Sequence, residues 1–126
     1  MSKYVLDASA VLALLNQEPG GDQVEALLAD SLISAVNAAE VLTKLVDAGM
    51  PDDEALESLE LLGLEIVDFD LRLAAQAAAL RRPTRKKGLS LGDRCCLALG
   101  LTSGYELVTA EREWAKLNLC PIQLIR

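Results

Sequence analysis

Five short runs of apolar or β-branched residues alternate with longer stretches of helical periodicity, and this alternation most narrows the folds open to the chain. Tyr4–Leu6, Leu32–Ser34, Glu65–Val67, Glu106–Thr109 and Ile122–Ile125 read as strands. Helical patterns fill the intervals at Ser9–Asn16, Asp22–Ala29, Ala35–Ala48, Asp52–Leu62, Asp70–Leu80, Leu91–Thr102 and Glu111–Leu117. Strands separated by helices pair in parallel and need helices on both faces, which predicts an α/β fold, a three-layer α/β/α sandwich around a central parallel sheet. Gly and Pro punctuate it, with Pro83–Gly88 reading as a loop. A chain of 126 residues suits one domain spanning residues 1–126.

A parallel sheet places its ligands at the carboxyl ends of the strands, where the following helices also begin. Four acids are expected at that edge: Asp7, Glu40, Asp93 and Glu111. Each also has a plain structural role open to it. Asp7 can cap the helix after β-run Tyr4–Leu6. Glu40 can pair with Lys44 four residues on. Asp93 can close a capping box with Ser90. Glu111 can sit in the first turn of a helix capped by Thr109. Four such acids at one predicted edge are less easily explained by capping. Carboxylates that converge repel unless a cation joins them, so a metal-dependent hydrolase is the leading expectation. Gly92, which weakens the first turn of its helix, suggests a close approach by another group.

Composition removes several alternatives. There is no histidine, and Cys95, Cys96 and Cys120 form no CxxC pair, which excludes Cys/His zinc sites and His-based triads. Cys95 and Cys96 read as core residues. An odd cysteine count without a signal segment points to a reducing cytoplasm, and no apolar run is long enough to span a bilayer. The net charge of −7 argues against a passive nucleic-acid binder, but the charge is uneven. Arg81, Arg82, Arg85, Lys86 and Lys87 lie together, whereas Leu45–Leu71 holds no basic residue. The basic cluster can hold an RNA backbone; it can equally be a solvated loop. A dehalogenase-like phosphatase would want a second acid where Ser9 stands. A response-regulator module would want a lysine near the strand Glu106–Thr109.

Four segments in order, Val5-Leu6-Asp7-Ala8-Ser9-Ala10, Ser34-Ala35-Val36-Asn37-Ala38-Ala39-Glu40-Val41, Leu89-Ser90-Leu91-Gly92-Asp93-Arg94 and Val108-Thr109-Ala110-Glu111-Arg112-Glu113-Trp114, resemble a PIN-domain ribonuclease, in particular the toxin of a VapBC-type toxin–antitoxin pair. The resemblance covers nearly the whole chain. It implies a Mg²⁺- or Mn²⁺-dependent endoribonuclease with Asp7, Glu40 and Asp93 as core ligands. Glu111 stands where the family more often has Asp, so its ligation is direct or through water. Ser9 and Thr109 match supporting hydroxyls, and Asn37 is placed to bond Glu40. Arg94 and Arg112 join Arg81–Lys87 as expected RNA contacts. A small antitoxin and a homodimer are implied as partners. The alternative is a PIN fold that acts as a binding or scaffold partner without nuclease activity.

Overall fold

Residues 3–126 are described by the computed structural model. In chain order it runs β1 (Tyr4–Leu6), α1 (Ala8–Leu15), α2 (Gly21–Leu27), β2 (Ser31–Ser34), α3 (Ala35–Asp47), α4 (Asp52–Glu60) and β3 (Glu65–Val67). It continues through α5 (Leu71–Ala79), α6 (Arg81–Thr84), α7 (Leu91–Ser103), β4 (Glu106–Thr109) and β5 (Ile122–Leu124). Short 3-10 turns cover Leu28–Asp30, Arg85–Lys87 and Arg112–Lys116.

The five strands form one sheet in the order β3-β2-β1-β4-β5, and every pairing is parallel. Its register explains the three layers. Val5 pairs with Leu32 on one side and Leu107 on the other, and all three pack into the core with α5 and α7. Leu6 pairs with Ile33 and Val108, and these face the opposite core with α1, α3 and α4. Alternate residues of each strand thus serve opposite helical layers, as a sheet buried on both faces requires. Cys95 and Cys96 lie fully buried in α7, as core residues should.

The chain steps from β1 through β2 to β3 in one direction, then returns to place β4 on the other side of β1. The carboxyl edge between β1 and β4 is therefore a topological switch point, where a crevice opens between diverging connections. Asp7 and Thr109 end the two strands at that point. The β1 ladder extends to Asp7, whose N–H donates to Val108 O at 3.2 Å.

Two local expectations are corrected. Pro83–Gly88 is not an irregular loop: α6 and a 3-10 turn occupy it. Thr84 is buried and donates its hydroxyl to Leu80 O within the segment, while buried Leu80 and Leu89 hold it against the core. Pro83 is tolerated because a first-turn residue needs no intrahelical N–H bond. Glu111–Leu117 is not an α-helix but a 3-10 turn over Arg112–Lys116, with Glu111 as its cap residue. Trp114, 2% exposed, anchors this tight turn in the core.

Candidate active site

Asp7 is both the cap of α1 and the centre of a hydrogen-bond cluster. Its Oδ1 accepts from the Ala10 N–H at 2.9 Å and the Ser9 hydroxyl at 2.7 Å. Its Oδ2 accepts from the Thr109 hydroxyl at 2.6 Å. Each hydroxyl has one proton, so both are committed to Asp7, and the 3.2 Å Ser9–Thr109 approach is a contact without a donor. The same two oxygens accept from the β4 side: Ala110 N–H reaches Ser9 Oγ at 2.9 Å, and Glu111 N–H reaches Thr109 Oγ1 at 3.0 Å. Thr109 is thus fully buried at the end of β4 and is not the expected helix cap.

Three donors aimed at one carboxyl group select its ionised form, but burial opposes them. Desolvation is the largest influence and raises the Asp7 pKa to about 6. The bonds from Thr109, Ser9 and Ala10 pull it down, while the negative charge of Glu111 pushes it up.

Glu40 is held from the adjoining helices. Asn37 Nδ2 donates to Glu40 Oε1 at 2.7 Å and to the Gly92 carbonyl at 3.1 Å. The amide therefore ties the first turns of α3 and α7 together, and its orientation is fixed because only nitrogen can donate twice. Its Oδ1 is buried without a partner. The carboxylate lies over the Gly92 Cα: a Cβ there would stand 2.6 Å from Glu40 Cδ and 2.7 Å from Oε1. Glycine in this turn is thus explained by Glu40. Lys44 does not pair with Glu40; among the described residues the ion pairs are Lys116–Glu113 and Arg126–Glu18.

Asp93 completes the capping box, its Oδ2 accepting from Ser90 N–H at 3.0 Å and its own N–H reaching Ser90 Oγ at 3.1 Å. Glu111 is exposed. Asp7, Glu40, Asp93 and Glu111 nevertheless line one cavity of about 210 Å³, with Ser9, Asn37 and Lys44. A wider hollow of about 520 Å³ lies beside Leu14–Glu25, away from these carboxylates. Among the described residues no three acidic or thiol groups already stand at metal-holding distance, so the carboxylates ring the cavity without meeting at a point. The donor set is wholly oxygen, which suits a hard divalent cation such as Mg²⁺ or Mn²⁺ and no softer metal.

The basic residues separate. Arg94 turns from the cavity towards α5, where Nη1 donates to Ala77 O at 3.1 Å. Arg112 is exposed and its Nε donates to Arg126 O at 3.3 Å. Neither lines the cavity. Arg81, Arg82 and Arg85 border a hollow of their own, while Lys86 and Lys87 are exposed on the turn that follows. Lys44 lines the cavity and supplies it with positive charge.

Comparison with known proteins finds the same fold. The chain resembles solved structures of VapBC from Salmonella typhimurium bound to DNA (TM-score 0.77, 19% identity, all of both chains covered). It also resembles VapBC2 from Rickettsia felis bound to a promoter fragment (0.74, 20%, covering 96% of this chain and 97% of that one). FitAcB from Neisseria gonorrhoeae is similar too (0.74, 21%, 97% of each). At these identities the likeness speaks for the fold. A search of curated proteins by sequence gave no match. The model of the PIN domain matches residues 4–118, nearly the whole length, and the chain belongs to the PIN domain family.

Proposed function

We propose that the protein is a metal-dependent endoribonuclease and the toxin of a type II toxin–antitoxin pair. The observation that carries this reading is the convergence of Asp7, Glu40, Asp93 and Glu111 on one cavity at the β1/β4 switch point. PIN domains are generally nucleases, and the neighbours in fold are VapBC complexes. A cytoplasmic setting accords with free cysteines, and among the described residues no helix is long and apolar enough to cross a membrane.

The chain's own residues divide the work by how firmly they are held. Asp7 is fixed by three donors and Glu40 by Asn37 and Gly92, so both carboxylates are held in place at the cavity wall. Asp93 keeps Oδ1 free of the capping box, and Glu111 is the most exposed of the four. These four would hold Mg²⁺ or Mn²⁺, Glu111 directly or through water. When bound, the ion supplies activation of water and neutralisation of phosphoryl charge, which a site without histidine lacks. Lys44 offsets the charge of an incoming phosphate at the cavity mouth. An antitoxin covering the cavity and a homodimer complete the proposal. The test is cleavage of structured RNA with Mg²⁺ or Mn²⁺, yielding 5′-phosphate and 3′-hydroxyl ends. RNA binding without cleavage in either metal would favour a scaffold role instead.

A further inference from the structure

The segment that reads as a charged loop is an ordered platform. α6 and the following turn are pinned by buried Leu80, Thr84 and Leu89. On this platform Arg81 and Arg82 of α6 and Arg85 of the turn that follows are exposed and border one hollow. It measures about 490 Å³, and its remaining wall is Ala75, Ala78 and Ala79 of α5. The alanines leave the space open, since longer side chains would fill it. Like charges so arranged repel one another, and the chain has 19 acids with which to neutralise them. Yet among the described residues none of the three arginines is in an ion pair.

We propose that this groove between α5 and α6 is a second nucleic-acid contact, a site for the phosphodiester backbone of the RNA, separate from the cavity that holds the carboxylates. Three planar guanidinium forks match phosphate oxygens in a way lysines would not. In sequence, Gly88, at φ +68°, and buried Leu89 connect the arginine platform to Ser90 and Asp93. An RNA strand is favoured over an acidic protein segment because the carboxylate cavity repels the strand it must receive. On a chain of net charge −7, a positive groove supplies the attraction that offsets that repulsion. The inference rests on the nucleic-acid reading of the cavity but not on cleavage.

The experiment measures binding of a fluorescent RNA oligonucleotide to the Asp7→Asn chain in EDTA, across a range of salt concentrations. Removing three phosphate contacts by Arg81→Gln, Arg82→Gln and Arg85→Gln should lower the slope of log affinity against log salt by about 2, at ~0.7 per contact for a single strand. Affinity at low salt should fall at least about tenfold. The corresponding triple lysine variant should keep most of the slope but lose affinity. A control removing three charges elsewhere, Lys3→Gln, Lys116→Gln and Arg126→Gln, should leave the slope unchanged. An unchanged slope in the arginine variant, or an equal fall in the control, overturns the proposal. So does competition by an acidic peptide that depends on the three arginines while RNA binding does not. Loss of cleavage in the unmodified chain with these slopes intact would instead count against the nuclease reading alone.

Discussion

The Glu40 carboxylate rests against the Cα of Gly92, in space that any other residue at position 92 would fill with its Cβ. Replacing a helical glycine with alanine ordinarily stabilises a helix by up to ~1 kcal/mol. Here the methyl group would displace a carboxylate that lines the cavity. We expect Gly92→Ala to lower kcat about 10–100-fold through misplacement of Glu40, the size of loss that a shift of about 1 Å produces. Thermal unfolding should show no gain in stability. A variant with wild-type kcat and a higher Tm would mean that Glu40 is not held there for function.

Asn37 is the polar half of the same cradle. Its nitrogen donates to both Glu40 and Gly92 while its oxygen stays buried and unpartnered. Asn37→Asp keeps the shape but turns two attractions into two repulsions. It should therefore be more harmful than Asn37→Ala, by about 1–3 kcal/mol in unfolding free energy. In a Glu40→Gln background the effect of Asn37→Ala on kcat should largely vanish, because residues that act as a unit are not additive. Additive losses in kcat would show that Asn37 acts independently of Glu40.

Much of this cradle was legible before the fold was known, and some was not. Asp7, Asn37, Glu40, Gly92 and Asp93 stand at strand ends or helix starts, where residue type and position carry the signal. The bond from Asn37 to Glu40 follows from i, i+3 spacing on α3. The bond from Asn37 to Gly92 spans 55 residues and depends on how α3 meets α7, which no local pattern encodes. The charged run 81–87 misleads because its composition is that of a loop, while buried Thr84 within it and buried Leu80 and Leu89 beside it hold it as a short helix and a 3-10 turn. Arg94 follows the motif acid directly, but a helical step of one residue turns it about 100° towards α5. Strand order is equally hidden: nothing in β4 itself says that it returns beside β1.

Asp7 should make the protein's stability depend on pH in the sense opposite to a surface-paired carboxylate. Its pKa is raised from 3.8 to about 6, so the folded state holds this proton more tightly than the unfolded one. Its contribution favours folding below about pH 4 and is lost as pH rises through about 6, a difference of about 3 kcal/mol. Asp7→Asn should therefore be more stable than the wild type at pH 7, with the gap closing towards pH 4. Denaturant unfolding at the two pH values checks this; a pH-independent difference would contradict it.

Divalent cation should reverse that ranking. A cation bound only by the folded chain at one hundred times its Kd adds about 2.7 kcal/mol. Mn²⁺ should raise the Tm of the wild type and have much less effect on Asp7→Asn or Glu40→Gln. Equal shifts in all three proteins would place the ion elsewhere.

The most direct test of the whole account compares RNA cleavage by the purified wild type, Asp7→Asn and Glu40→Gln, each with Mg²⁺ or Mn²⁺ and again with chelator. The account predicts cleavage by the wild type alone, abolished by chelator, with both variants folded and at least about 100-fold slower. Cleavage that survives in folded Asp7→Asn, or persists undiminished in chelator, would contradict it.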